Sequence, residues 1–343
     1  MSTNEAAWLS APKTHPLEVG SAEYPSAKED EIVVRVHAAG IDPVDNKIQS
    51  WHLFGLPTPI VLGNGVAGEV VETGSGVTRV RVGQRVVGNT TVLMSKEARN
   101  GGYQRNVALP APLFAPLPDS LPYTQAAVLP VGMSTAAAAL FNPDSLGLPM
   151  PPTKAPNSPT LMVWGGSSSV GLCAIQLAKL VGARCVVTAS SKNARLCKDV
   201  GADAVVDHQH DDCEKQLAEA LQGGTVVGAL DAISSAETIP RTCRVLSQTG
   251  SAGTAKVALT VPPMQEIDTH GVELKPIFSL SILGNQVART LWEEVLPRGL
   301  ASGELVAQPP AMVEDKKGPQ GVQPGLDRCA QGMSASKVVV TMV

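Results

Sequence analysis

The 343-residue sequence predicts an α/β protein: a doubly wound parallel sheet with helices on both faces, beside a compact β-barrel-like domain. Three observations predict it. From residue 160 onward, short apolar runs alternate with amphipathic helical patterns, which is how a parallel sheet reads in sequence. Residues 60–88, IVLGNGVAGEVVETGSGVTRVRVGQRVVG, are short valine-rich strands punctuated by glycine, the texture of a small barrel. The length suits two domains, and 43% hydrophobic against 17% charged residues can bury a substantial core.

Taken in order, residues 31–38 (EIVVRVHA) alternate like a half-buried strand. AGIDPVDNKIQ follows, a loop in which Pro43 leads into a helical turn. Residues 103–109 (YQRNVAL) read as one more strand. Residues 130–140 (PVGMSTAAAAL) read as a helix with proline near its start and strong alanine propensity. Six prolines between 142 and 159 mark a surface excursion rather than an element. Then come strand 160–164 (TLMVW), the turn GGSSS, helix 170–182, and strand 184–189 (RCVVTA). NARLCKDVGA (helix), AVVDH (strand), CEKQLAEAL (helix) and GALDAI (strand) repeat the unit. The tail KVVVTMV is β-branched and adds a strand to the first domain, so the chain leaves that domain and returns to it.

Composition excludes several classes. The net charge is −4 with no basic block, which argues against binding nucleic acid through phosphates. The N-terminal stretch lacks a basic region followed by an apolar one, so no signal peptide is expected. No apolar run nears 18 residues, so no membrane span is expected. The six cysteines contain no C-x2-C pair, which fits thiols in a cytoplasmic protein better than a disulfide framework.

The strand–turn–helix at 160–182 is the dinucleotide-binding arrangement. Small residues let the backbone approach a pyrophosphate, and the helix N-terminus offers N–H groups and a positive dipole end. Gly166 and Gly171 match the outer glycines of G-x-G-x-x-G, with Ser168 in the middle place; Ser167 and Val170 complete the turn, and Ser169 is its expected N-cap. Val170, Ala174, Leu177, Ala178 and Val181 mark one buried face. An ordinary βαβ turn without ligand is the plain alternative.

A binder of NAD places Asp or Glu at the end of the next strand, roughly 20 residues on, to hold the ribose 2′-hydroxyl. Here that strand ends in Ser190, Ser191, Lys192 and Asn193, with Arg195 beyond and no acid. Hydroxyls and cations suit a 2′-phosphate, so the reading is NADP(H) over NAD(H). The alternative is that Lys192 and Arg195 are solvated surface cations.

AGIDPVD, LGNGVAGEVVETGSGVTRVRVGQRVVG, AAVLPVGMSTAAAAL, GGSSSVGLCAIQLAKLVGA and GADAVVDH, in this order, resemble the medium-chain dehydrogenase/reductase superfamily. The resemblance covers nearly the whole chain and is greatest to the zinc-independent branch of quinone oxidoreductases and enoyl reductases. WGGSSSVG, TASSKN and SASKVVVT are similar to the fungal CipB-like and trans-acting enoyl reductase group of secondary metabolism. It implies a GroES-like catalytic domain (1–129 and 275–343) split around a Rossmann domain (130–274), with the active site in the cleft between them. It also implies a monomer or homodimer acting on a small molecule, with a polyketide synthase as partner in trans.

Site residues follow from the same resemblance. The segment Asp42-Pro43-Val44-Asp45 stands where the family lines the nicotinamide end with Asn-Pro-x-Asp, so Asp42 departs from the pattern and adds a negative charge. Lys47 is a candidate to steady an enolate oxygen, or else a solvated lysine paired with Asp45. His52 falls near the place of a tyrosine donor in one enoyl-reductase branch; Tyr103 is a further candidate. Thr135, His208, Ile233 with Ser234, and Lys337 are carried over as cofactor contacts. Zinc alcohol dehydrogenases of the superfamily have a Cys ligand in the loop that here reads AGIDPVDNK, and a His-Glu pair where this chain has Gly63-Asn64-Gly65. No zinc is expected. The function expected is NADPH-dependent hydride transfer to an activated C=C, with quinone reduction or NADPH binding without turnover as alternatives.

Overall fold

The computed structural model describes residues 4–249 and 255–343, and the chain divides into two units. The first unit, Met1–Val131 with Trp292–Val343, opens with eight strands: β1 (Asn4–Leu9), β2 (Glu18–Ala22), β3 (Glu31–Gly40), β4 (Ile60–Val61), β5 (Gly65–Thr73), β6 (Arg85–Asn89), β7 (Asn106–Pro110) and β8 (Phe114–Pro116). β2, β1 and β4 form a three-stranded sheet in that order. β3 is long and central, paired antiparallel with β5 along one edge and with β7 along the other. Along it only Arg35 is exposed and only His37 half-buried, so the expected alternation gives way to a strand covered on both faces. The strand expected at 103–109 begins at Asn106; Tyr103 instead donates its N–H to Leu62 O at 2.9 Å, within a loop.

The second unit, Gly132–Leu291, holds β9 (Thr160–Trp164), β10 (Arg184–Thr188), β11 (Ala204–Val206), β12 (Val226–Asp231), β13 (Lys256–Leu259) and β14 (Glu273–Pro276). They form one parallel sheet in the order β11-β10-β9-β12-β13-β14. The order runs outward in both directions from β9 and β12, so the topological switch point lies between these two strands. A ligand of a doubly wound sheet sits beyond the carboxyl ends of the strands at that point. Met162, Trp164 and Val186 pack on one face with Cys213, Leu217, Ile239 and Cys243 from two helices, Cys213–Leu221 and Thr238–Ser247. The alternate residues Leu161, Val163 and Val187 point to the other face and are equally buried, as a two-sided sheet requires.

The chain then returns to the first unit with β15 (Ala311–Val313) and β16 (Lys337–Thr341). β16 pairs antiparallel with β3 and parallel with β15, so the tail adds to the first sheet as expected. The seams lie at 131/132 and 291/292, against 129/130 and 274/275 from sequence. The later second seam has a cause. β14 extends the parallel sheet beyond β13, and Asn142 ties the following segment to the proline-rich stretch through Ser281 Oγ (2.8 Å) and Asn285 Nδ2 (2.9 Å).

One helical stretch of 19 residues, Tyr123–Phe141, is long and apolar enough by length and composition to cross a membrane, where the sequence reading expected no such run. Its polar residues are uncharged, and most of it is buried within the protein. Among the described residues the six cysteines are free, five of them buried and Cys329 partly so.

Candidate active site

In the second unit, β9 runs into Gly165 and Gly166 and then the helix Ser169–Leu180. Gly165 has φ +82°, which favours glycine, and a Cβ there would meet the Ile233 side chain at 2.8 Å. A Cβ on Gly166 would lie 2.7 Å from Val187, and one on Gly171 would lie 2.3 Å from Gly165 O. The outer glycines therefore let helix and strand close on the turn.

Ser168, not Ser169, is the N-cap. It alone of the pair is extended (φ −73°, ψ 164°), and its Oγ accepts the Gly171 N–H at 3.0 Å. Ser169 and Val170 occupy the first helical positions, where backbone N–H groups have no intrahelical acceptor. Gly132 packs so closely on this helix that a Cβ would meet Ser169 Oγ at 2.9 Å. Thr135 lies one turn further along the same helix, Pro130–Phe141, 8% exposed.

The opposite wall follows β12. Asp231 is buried; its Oδ1 accepts N–H from Ile233 (3.0 Å) and Ser234 (2.8 Å), and its Oδ2 accepts the Thr238 hydroxyl (2.6 Å). Burial pushes its carboxyl up, against those donors. The turn holds Ser234 at φ +51° and leaves Ile233 47% exposed over the glycines. Sequence reasoning named Ile233 and Ser234 but missed Asp231; the signal was an Asp followed by small hydroxyl residues, the pattern of a side-chain-stabilised turn.

The loop after β10 corrects two expectations. Ser191 gives both its N–H (2.7 Å) and its hydroxyl to Asp207 Oδ2, so its hydroxyl is not free to donate to a phosphate. Arg195 is paired with Asp199 at 2.6 Å on its own helix. An acid is thus present beside the loop, but it comes from the end of β11. Ser190 is half-buried, Lys192 is exposed without an ion-pair partner among the described residues, and Asn193 Nδ2 reaches Ser167 Oγ at 3.4 Å. His208 is exposed, its Nδ1 4.0 Å from Asp207 Oδ1. The unit therefore gathers Gly166, Ser167, Ser168, Ser169, Val170, Asn193 and Ile233 at the switch point, with Ser191, Lys192 and His208 along its β10–β11 side.

In the first unit, the helix Pro43–Trp51 follows β3. Pro43 is its exposed first residue. Asp45 is fully buried and accepts four hydrogen bonds: from Gly63 N–H (3.3 Å), Asn64 Nδ2 (2.7 Å), Tyr103 OH (2.7 Å) and Asp42 N–H (3.1 Å). It ties the helix to two loops rather than presenting a carboxylate outward, which corrects its expected place among reacting groups. Tyr103 is equally buried, and burial raises its pKa well above the usual phenol value; its O–H is spent on Asp45.

Asp42 is compensated. Lys337 Nζ lies 2.6 Å from Asp42 Oδ1 and 3.4 Å from Val128 O, and the two charged side chains are 4% and 5% exposed. Lys337 is therefore a partner of Asp42, and the negative charge that departs from the family pattern is balanced. Lys47 is half-buried, burial lowers its pKa, and among the described residues it has no ion-pair partner; the expected alternative of pairing with Asp45 does not occur. His52 caps the same helix in the left-handed region (φ +55°), donating its N–H to Ile48 O, with Nδ1 buried and unpartnered.

Two family profiles match the chain: "Alcohol dehydrogenase GroES-like domain" over residues 28–119 and "Zinc-binding dehydrogenase" over 169–296. It is 37% identical to the zinc-binding alcohol dehydrogenase domain-containing protein cipB of Emericella nidulans, covering 99% of this chain and 98% of that one. It is 38% identical to the trans-enoyl reductase himH of Aspergillus japonicus, covering 98% and 97%. The crystal structure of CurK enoyl reductase superimposes with a TM-score of 0.77 at 18% identity over the whole of both chains, a likeness of fold. The chain belongs to the medium-chain dehydrogenase/reductase superfamily, in its enoyl reductase branch, and is an oxidoreductase. Members of this superfamily bind nicotinamide cofactors.

The residues here do not fit the zinc named in the second profile. Asn64 turns its amide nitrogen to Asp45, whose oxygens face only N–H and O–H donors, and among the described residues no three His, Cys, Asp or Glu side chains converge. A nicotinamide dinucleotide does fit: Gly165, Gly166 and Gly171 pack the turn too tightly for any Cβ, which sets the start of the helix Ser169–Leu180, with its backbone N–H groups, at the switch point where a pyrophosphate belongs.

Proposed function

We propose that this enzyme uses NADPH to reduce the activated C=C of an enone or enoyl substrate of secondary metabolism, supplied by a polyketide synthase acting in trans. The single observation that carries the NADPH reading is the end of β10, where Lys192 stands exposed, unpaired among the described residues, and no carboxylate follows in the loop. The himH likeness supports the enoyl class. When bound, the nicotinamide supplies a hydride to the β-carbon of the substrate, leaving an enolate oxygen to be held and an α-carbon to be protonated.

Lys47 is our assignment for the enolate oxygen. Its lowered pKa reflects an ammonium poorly solvated and therefore strongly attracted to a developing anion. His52, which closes the helix that carries Lys47, is our assignment for the proton donor at carbon. Lys47→Met is expected to lower kcat for an enoyl thioester roughly 10²-fold while leaving the Kd for NADPH within about twofold, measured by NADPH consumption and calorimetry. A loss confined to KM would assign Lys47 to substrate binding alone.

The cofactor choice has its own test. Lys192→Ala is expected to weaken NADPH about tenfold or more and NADH by less than about twofold, by calorimetric titration. Equal losses for both nucleotides would refute the 2′-phosphate assignment. Turnover with a panel of enones, enoyl thioesters and quinones then separates C=C from quinone reduction. Binding without turnover rests on the charge of Asp42 and on the serine-rich turn; Lys337 balances the first, and turnover with that panel tests the second.

A further inference from the structure

We propose that Asp207 is a specificity-determining positioning residue: it anchors the Ser191–Asn193 turn so that Lys192 is held out for the phosphate that distinguishes NADPH from NADH. The proposal rests on the NADP(H) reading above and adds a residue to it from a different strand.

Backbone pairing between β10 and β11 continues as far as the Ala189 N–H, which reaches Val206 O at 3.1 Å. Beyond it, the chain after β10 is tied down by side chains. Asp207, the first residue past β11, takes the Ser191 N–H at 2.7 Å and its hydroxyl with the same oxygen, and the Gln209 N–H at 3.0 Å with the other. These donors, the Ser191 hydroxyl first, hold its carboxyl down at about 2, so the anchor is charged throughout the working range. The turn Ser191–Asn193 starts at this anchor, and its far end touches the glycine–serine turn through Asn193 and Ser167. Lys192 lies between the two fixed points.

Two effects of Asp207 oppose each other. Its charge repels an incoming phosphate, and its hydrogen bonds fix the lysine that attracts one. The loop is open to solvent, which screens the repulsion, whereas two charge-assisted bonds from one residue set the turn directly. Anchoring wins, and this fixes the sign of the test.

Calorimetric titration of NADPH and NADH into Asp207→Ala, Asp207→Asn and Lys192→Ala decides it. Asp207→Ala should raise the Kd for NADPH about tenfold and that for NADH less than threefold. Asp207→Asn keeps an acceptor oxygen for Ser191 and should stay within about threefold of the parent for both. Equal weakening of both nucleotides by Asp207→Ala would make the residue merely structural and overturn the proposal. So would tighter NADPH binding by Asp207→Asn, which would mean that repulsion dominates. Should Lys192→Ala discriminate while Asp207→Ala does not, only the Asp207 proposal fails; should Lys192→Ala fail to discriminate, the reading beneath it fails too.

Discussion

Replacing Lys337 by methionine is expected to destabilise the protein by roughly 3–5 kcal/mol, seen as a lower urea midpoint at unchanged slope. The reason lies in what is left behind. Asp42 is 4% exposed, its Oδ1 is held by Lys337 at 2.6 Å, and its Oδ2 has no partner. Without the ammonium, a carboxylate would stay in the protein interior beside the buried Asp45, with nothing to neutralise it. The converse change, Asp42→Asn, is milder, since an amide oxygen still accepts from Lys337. The double variant Asp42→Asn/Lys337→Met removes both charges at similar volume and should recover most of the loss, to within about 1–2 kcal/mol of the parent. A single Lys337→Met variant that lost less than about 1 kcal/mol would show that the pair is solvated and that the Asp42 charge is not balanced in this way.

This pair also marks the limit of what could be read from sequence. The repeated βα units after residue 160 were legible because each carries its own period, and the glycine–serine turn because close packing restricts residue type at fixed spacing. Asp42 and Lys337 are 295 positions apart, and no period links them. Asp207 is only 16 positions from Ser191, yet it lies one strand over, and the β10 loop itself contains no acid. The cap was misplaced by one residue because three serines in a row are chemically equivalent until the backbone angles choose among them. The alternation of β3 points to a strand with one wet face, but only Arg35 is exposed and His37 half-buried, because other segments cover the rest. In each case the missing information was which segments meet in space.

Asp45 is where such a meeting has the greatest consequence. Asp45→Ala would strip the acceptor from four buried donors at once, supplied by Gly63, Asn64, Tyr103 and Asp42. The expected loss is on the order of 3–5 kcal/mol, as a large fall in melting temperature. Asp45→Asn keeps an oxygen for Gly63 and Asn64, and its amide can donate to the Tyr103 oxygen, so it should cost less. It also isolates a pH effect. Burial first, and the Asp42 carboxylate second, push the Asp45 carboxyl from its ordinary 3.8 up to about 7, against the pull of the Tyr103 and backbone donors. Folding then takes up a proton between these two values. Stability from this group is greatest below about 4, falls as pH rises towards 7, and is constant above. The wild type should therefore lose stability relative to Asp45→Asn across that window, and the difference should be flat on either side. A difference that grew in the opposite direction would mean that the four donors outweigh burial and keep the carboxylate ionised. A variant that kept its melting temperature but lost turnover would return Asp45 to the reacting groups, and the hub described here would be wrong.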